Sequence, residues 1–349
     1  MFLLYICHFK MEIIKNLNIM RVVNKFFQYL ALIVAFIATS TVSAQTINEA
    51  KQAFNDGLAA REAGNYDESI AKIESCIEQL DAILEEDEEN EEADELLGNA
   101  EELLPTVKYQ KAKITFEAKD MNNALEQFKE ALKSGESYGN QTVIDNCNKY
   151  LTQIYYIRGG SKYKAKDFEA AVAEFDKALE YDPNFAKAFY YKMAIAKNND
   201  EDVLVKENAD KGLTAAEVSN DKKTAEKISN SATAYYLNKG IDAKKAGKYQ
   251  SAADNFNQAI VYDDKNVNAY YYLASSKNEL KSWNDAIEAA KKGIELETSP
   301  SENAKIYYEL GTAYVGINDN ANACSAFKKA AVGQYAEAAN YQIQQLGCN

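Results

Sequence analysis

The chain has 349 residues, 47% of them hydrophobic, with three prolines, 15 glycines and 24 tyrosines, and a formal net charge of −14 at pH 7. So few breakers over such a length favour a helical array, and an apolar fraction carried by alanine and tyrosine implies thin cores spread along the chain. The negative surface repels phosphate backbones and anionic lipids, which removes nucleic acid and membrane surfaces as expected partners.

Residues 20 to 44 read MRVVNKFFQYLALIVAFIATSTVSA. A basic start (Arg21, Lys25), an apolar run from Tyr29 to Ala38 and small residues at Val42 and Ala44 are the three regions of a secretory signal peptide. The run is about half the roughly 20 residues a transmembrane helix needs. Cleavage is expected after Ala44, leaving an exported chain from Gln45 with no integral membrane segment. It takes away four basic residues and one acidic residue, which moves the charge to about −17. Residues 1–19 would make an unusually long leader, so translation is expected from Met20 or Met11.

The remainder shows a 34-residue period. Its clearest unit is residues 152–185, TQIYYIRGGSKYKAKDFEAAVAEFDKALEYDPNF. Tyr155, Gly159, Phe168, Ala171, Phe175, Ala178 and Pro183 stand at positions 4, 8, 17, 20, 24, 27 and 32 of that unit. Small residues where two antiparallel helices cross, and aromatics where gaps must be filled, account for the pattern. In chain order the register places units at 50–83, 105–138, 152–185, 186–219, 233–266, 267–300 and 304–337. The unit at 186 departs most, with Val205 at the small position and Ala209 where an aromatic is expected. Residues 84–104, 139–151 and 220–232 are extra. The second and third read as helix extensions, and a break is expected near residue 220, dividing the chain into 45–219 and 220–349. Residues 336–346 read as a capping helix, which a stack needs over its last face.

This pattern resembles the tetratricopeptide repeat, and the resemblance implies an all-α, right-handed solenoid of about seven helix-turn-helix units. It also implies a protein- or peptide-binding scaffold. In that family position 4 packs between the paired helices and position 5 faces the concave groove. Position 4 holds Tyr155, Phe189, Tyr236, Tyr270 and Tyr307. Position 5 holds Phe54, Tyr109, Tyr156, Tyr190, Leu237, Tyr271 and Tyr308. Two readings of position 5 stand side by side: rings packing against neighbouring first helices, or a ladder of rigid amphipathic rings for an extended ligand. Position 12 would flank the ladder, with Tyr163, Lys197, Lys244 and Asn278 its candidate ligand contacts. No unit combines Lys at position 5 with Asn at position 9, so capture of a C-terminal carboxylate tail is not implied.

Chemistry is sparse. The one histidine, His8, lies in the leader, which removes imidazole-based catalysis and histidine metal sites from the mature chain. Cys76 and Cys147 fall on apolar helix positions and read as core thiols. Cys324 lies near the start of the last unit's second helix, and a capping helix running back would return Cys348 to it, so a Cys324–Cys348 disulfide is expected in an oxidising compartment. The run EEDEENEEADE from Glu85 to Glu95 lacks the spaced ligands and turn glycine of a calcium loop, and reads as a solvated helix or connector. Gly159 and Gly160 beside Arg158 lack the GxxxxGK[ST] of a phosphate loop. No catalytic residue, metal or cofactor is expected. The expectation is an exported, periplasmic, secreted or outer-membrane-associated scaffold of a Gram-negative bacterium, with a protein or peptide partner. A glycan stacked on the tyrosines, as in an envelope-assembly accessory, is the alternative.

Overall fold

The computed structural model describes residues 46–348; the expected signal peptide, 1–44, lies outside them. The described residues form α1 (46–62), α2 (Tyr66–Glu86), α3 (Glu91–Glu117), α4 (Met121–Ser137), α5 (Gln141–Lys164), α6 (Phe168–Tyr181), α7 (Ala186–Asn198) and α8 (Asp202–Val218). There follow α9 (Lys222–Lys245), α10 (Tyr249–Tyr262), α11 (Val267–Glu279), α12 (Trp283–Leu296), α13 (Pro300–Gly316), α14 (Asn320–Ala330), a 3-10 turn (Gly333–Tyr335) and α15 (Ala336–Leu346). No strand occurs among the described residues. The fold is an all-α repeat solenoid of antiparallel helix pairs.

The register is written into the backbone. Position 15 of every unit, from Gly64 through Lys119, Lys166, Asp200, Gly247 and Lys281 to Asn318, takes a left-handed conformation with φ between 57° and 80°. This residue ends the first helix. The next amide turns back on that helix, as Asn65 N–H donates to Ala60 O at 2.8 Å and Asp167 N–H to Lys162 O at 3.0 Å, which satisfies carbonyls the helix end leaves open. In three units position 16 then caps the second helix: the carboxylates of Asp120, Asp167 and Asp319 accept from the backbone of Asn123, Ala170 and Asn322.

Within each pair, helix crossing is set by positions 8 and 24. A Cβ on Gly159 would lie 2.7 Å from the Phe175 ring, and one on Gly311 would lie 2.8 Å from Phe327. Glycine is therefore required because the ring occupies that space. The unit at 186 inverts the pair, with Met193 and Ala209 both fully buried. Its departure from the pattern is a volume exchange within a regular helix pair. Position 4 packs between the helices: Tyr155 stacks on Tyr181 with centroids 5.8 Å apart, and Tyr236 on Tyr262 at 5.9 Å.

The three insertions lengthen first helices at their N-terminal ends. They appear in α3, α5 and α9, of 27, 24 and 24 residues, and they bury Ala93, Ala100 and Leu104; Val143, Cys147 and Leu151; Ile228 and Ala232. The acidic run is split by the turn between α2 and α3. Asn90 caps α3, and Glu91, Glu92 and Asp94 sit in its first turn, where the helix dipole favours carboxylates.

The described residues divide into two compact units that meet between Leu151 and Thr152. The break expected near residue 220 instead falls inside the second unit. There α9 packs on both α7 and α8, because residues 222–232 extend α9 and bury Thr224, Ile228 and Ala232. Cys324 is bonded to Cys348, with their Cα atoms 5.6 Å apart. Between them α15 covers the last pair, Ala339, Ile343 and Leu346 packing with Ala323, Phe327 and Ala330. Cys76 and Cys147 are buried free thiols, and burial pushes their pKa values up to about 11 and about 12.

Candidate functional site

Positions 5 and 12 lie seven residues apart on the first helix of each unit, and therefore on one face. All six aromatics at position 5 are half-buried. In the first unit Tyr109 lies 6.0 Å from the rings of both Phe128 and Tyr150. Burial beside Tyr150 raises its hydroxyl pKa to about 12. Phe54 packs into the cluster built around Ile73, Cys76 and Leu80.

In the second unit the expected site residues gather in three places. Tyr156 and Tyr163 flank Tyr191, at 5.8 and 5.2 Å, over Phe175 and Phe185. Burial against Tyr191 raises the Tyr156 pKa to about 12. Tyr190 packs with Met193, Ile228 and Tyr236, while Lys197 donates to Ser231 Oγ at 2.7 Å, burial lowering its pKa.

The third place brings Lys244, Tyr271, Asn278 and Tyr308 around a residue the repeat pattern did not single out, Glu309. Asn278 Nδ2 donates to Glu309 Oε2 at 2.8 Å and to its backbone oxygen at 2.9 Å. Burial raises the Glu309 pKa, against the opposing pull of the Asn278 and Ser275 hydrogen bonds and the Lys244 charge. The Tyr271 hydroxyl lies 3.3 Å from that of Tyr335, whose ring is 5.8 Å from Tyr308. Lys305 Nζ stands 5.2 Å from the Tyr271 ring centroid, a cation–π arrangement. Asn278 Oδ1 is buried without a hydrogen-bond partner.

One relation recurs. Position 12 of one unit meets position 6 of the next: Arg61 with Gln110 at 2.9 Å, Tyr163 with Tyr191, and Asn278 with Glu309. These bridges tie successive first helices together on the face that positions 5 and 12 share. Position 6 lies about 100° around the helix from position 5, so reading one column at a time misses the pairing. Tyr335 was missed because it sits in the 3-10 turn that closes the last unit, at position 32, where the pattern has Pro183.

Among the described residues no group of three or more acidic, cysteine or histidine side chains is placed to hold a metal. No described helix is long and apolar enough to cross a membrane.

This architecture of stacked helix pairs, repeated along the chain, defines a class of helical-repeat proteins. Tetratricopeptide-repeat family models match residues 152–185, 237–302 and 304–331, and these stretches are tetratricopeptide repeats. It is 33% identical over 91 residues to the Hsp70-Hsp90 organizing protein of Triticum aestivum, an alignment covering 26% of this chain and 15% of that protein. Similar solved structures include a tetratricopeptide repeat protein from Parabacteroides merdae (16% identity, 86% of this chain and 99% of that one, TM-score 0.29). The TPR2AB domain of yeast Sti1 in complex with pHSP90 is another (15%, 85% and 98%, 0.32), as is YrrB, described as having an unusual peptide-binding site (17%, 55% and 91%, 0.30).

Proposed function

We propose that this protein is a non-enzymatic scaffold, exported to the cell envelope and held by the Cys324–Cys348 disulfide, that binds a peptide segment of a partner protein. The binding face is formed by first helices α9, α11 and α13 of the second unit. The observation that carries this reading is the convergence of Lys244, Tyr271, Asn278 and Tyr308 around Glu309, where aromatic area sits beside two cations, Lys244 and Lys305, and one half-buried carboxylate. Such a site can meet both a side chain and the amide groups of an extended peptide. A disulfide at the last helix pair suits an oxidising compartment.

The test is affinity capture from envelope extract with the parent protein and with Lys244→Ala, which alters a half-buried side chain outside the core. One polypeptide retained by the parent and lost by a variant of unchanged thermal stability is the expected result. Equal capture by both would refute this placement. If no polypeptide is captured and envelope glycans raise the melting temperature, the tyrosines serve a glycan.

A further inference from the structure

In the first unit, a cavity of about 630 Å³ opens between the second helices α2 and α4 over α3, away from the position 5 and 12 columns. Its apolar lining is Ile77, Ala82 and Leu104, with Tyr138 at one side. Around it stand Glu74, Glu78, Asp81, Glu85 and Glu130, against two lysines, Lys108 and Lys133. Lys108 is already committed, its Nζ lying 2.7 Å from Glu74. Glu78, Asp81, Glu85 and Glu130 have no ion-pair partner among the described residues.

Three features make this more than a solvated acidic face. First, Glu85 belongs to the last turn of α2, which carries no basic residue, so helix dipole and carboxylates add to one negative potential. Second, nearby groups respond to it in part: burial and then the charges of Glu101, Asp81 and Glu74 raise the Tyr138 pKa, and burial followed by the charges of Asp81 and Asp94 raises that of Glu101. Third, Ser134 lines the cavity at 5% exposure, and its Oγ has no hydrogen-bond partner. A buried hydroxyl left unpaired costs free energy unless something reaches it.

We propose that this cavity receives an arginine side chain from a basic segment of a partner polypeptide. The methylene stem lies on Ile77, Ala82 and Leu104. The guanidinium faces Glu78, Asp81, Glu85 and Glu130, and one of its N–H groups donates to Ser134 Oγ once that hydroxyl, closed to solvent in this structure, turns about χ1 toward the cavity. Arginine suits the site because it carries five donors on an apolar stem and sheds its hydration more readily than an ammonium. This contact is independent of the first-helix face described above, and loss of one leaves the other intact.

The test is titration of the purified, isotope-labelled protein with an end-capped peptide, alanines around one arginine, followed by amide chemical shifts. The same peptide with citrulline in place of arginine isolates the charge, and spermidine separates a peptide-borne cation from a free polyamine. Shifts confined to the Ser134 and Tyr138 region, at least tenfold weaker with citrulline, are expected. Ser134→Ala removes a hydroxyl with no partner, so its stability is unchanged or raised. Its affinity for the arginine peptide falls about tenfold, as for a lost hydrogen bond to a charged group. Asp81→Asn with Glu78→Gln weakens binding further and flattens its salt dependence. Equal binding of the citrulline peptide, shifts elsewhere, no binding at millimolar peptide, or a Ser134→Ala variant of unaltered affinity would each overturn the proposal. Binding of spermidine in preference to the peptide would overturn the polypeptide partner.

Discussion

The exchange of Met193 and Ala209 for the glycine and phenylalanine of other units is a natural experiment that can be repeated where nature did not make it. Gly240 and Phe256 occupy the same two positions in the unit formed by α9 and α10. A Cβ at Gly240 would lie 2.5 Å from one ring carbon of Phe256 and 2.7 Å from another, and Phe256 is fully buried. Phe256→Ala should cost about 3–5 kcal/mol through lost transfer free energy and the cavity left behind. It also removes the stacking of Tyr272 at 5.4 Å, worth about 0.5–1.5 kcal/mol. Gly240→Met alone overpacks the crossing and should cost about 1–3 kcal/mol, less up to about 1 kcal/mol of recovered helix propensity. Together the two changes reproduce the Met193 and Ala209 arrangement, and volume is nearly conserved. The double variant should therefore lie within about 2 kcal/mol of the parent, the unrecovered part being the Tyr272 stack. The coupling energy should be on the order of 3 kcal/mol and favourable. Urea unfolding of the four proteins, followed by circular dichroism, measures it. Additive losses would show that positions 8 and 24 do not share one space and that the unit at 186 packs for another reason.

Other consequences follow from the backbone, the disulfide and the buried acid. Gly247→Ala places a Cβ on a residue with φ of 72° and should lower stability by about 1 kcal/mol in the same denaturation assay; an unchanged midpoint would contradict the left-handed cap. Cys324→Ser with Cys348→Ser opens a loop with a sequence separation of 24 and should cost about 3 kcal/mol, while alkylation of the unreduced, unfolded parent from Gln45 onward, which omits Cys7, should label only Cys76 and Cys147, read by intact mass. Burial raises the Glu309 pKa, so this group contributes most below its unfolded pKa and loses stability as pH rises through the folded value. Glu309→Gln keeps an acceptor for Asn278 and removes the charge. Its melting temperature should exceed the parent's most at pH 7, with the gap closing towards pH ~4; a gap independent of pH would refute burial as the cause.

The repeat register was legible because it is fixed by sterics that only certain residues satisfy. Gly159 and Gly311 must be small because Phe175 and Phe327 fill the crossing, and α15 begins and ends at the residues where apolar spacing placed the cap. What could not be read depends on pairs, not on single positions. Met193 and Ala209 look wrong one at a time and are right together. Residues 220–232 interrupt the period, which suggested a break, yet in space they lengthen α9 and bury Ile228. The Asn278 to Glu309 bridge joins positions 12 and 6 of different units; position 12 pointed to Asn278, but Glu309 carries no local signal. The two readings of the position 5 rings were likewise beyond the sequence, since half-burial of Tyr156 against Tyr191 and Phe185 depends on how neighbouring units stack.

That half-burial changes where selectivity for a ligand has to reside. A ring engaged on one side by Phe327 and Tyr335, as Tyr308 is, offers a ligand only its remaining side, and it also holds the spacing of the elements around it. Such rings supply rigid, sequence-tolerant contact area. Discrimination then falls to the few polar groups the rings hold in place, because leaving a buried charge or amide unpaired is what penalises a wrong partner most. On the first-helix face these are Lys244, Asn278 and Glu309, and in the α2–α4 cavity they are Ser134 and the surrounding carboxylates. A chain this acidic attracts many cationic segments weakly. Placing one buried, unpartnered hydroxyl inside the acidic cavity is the kind of feature that separates a specific guanidinium from general attraction. Stability should therefore respond mainly to the rings, and partner choice mainly to these few polar atoms.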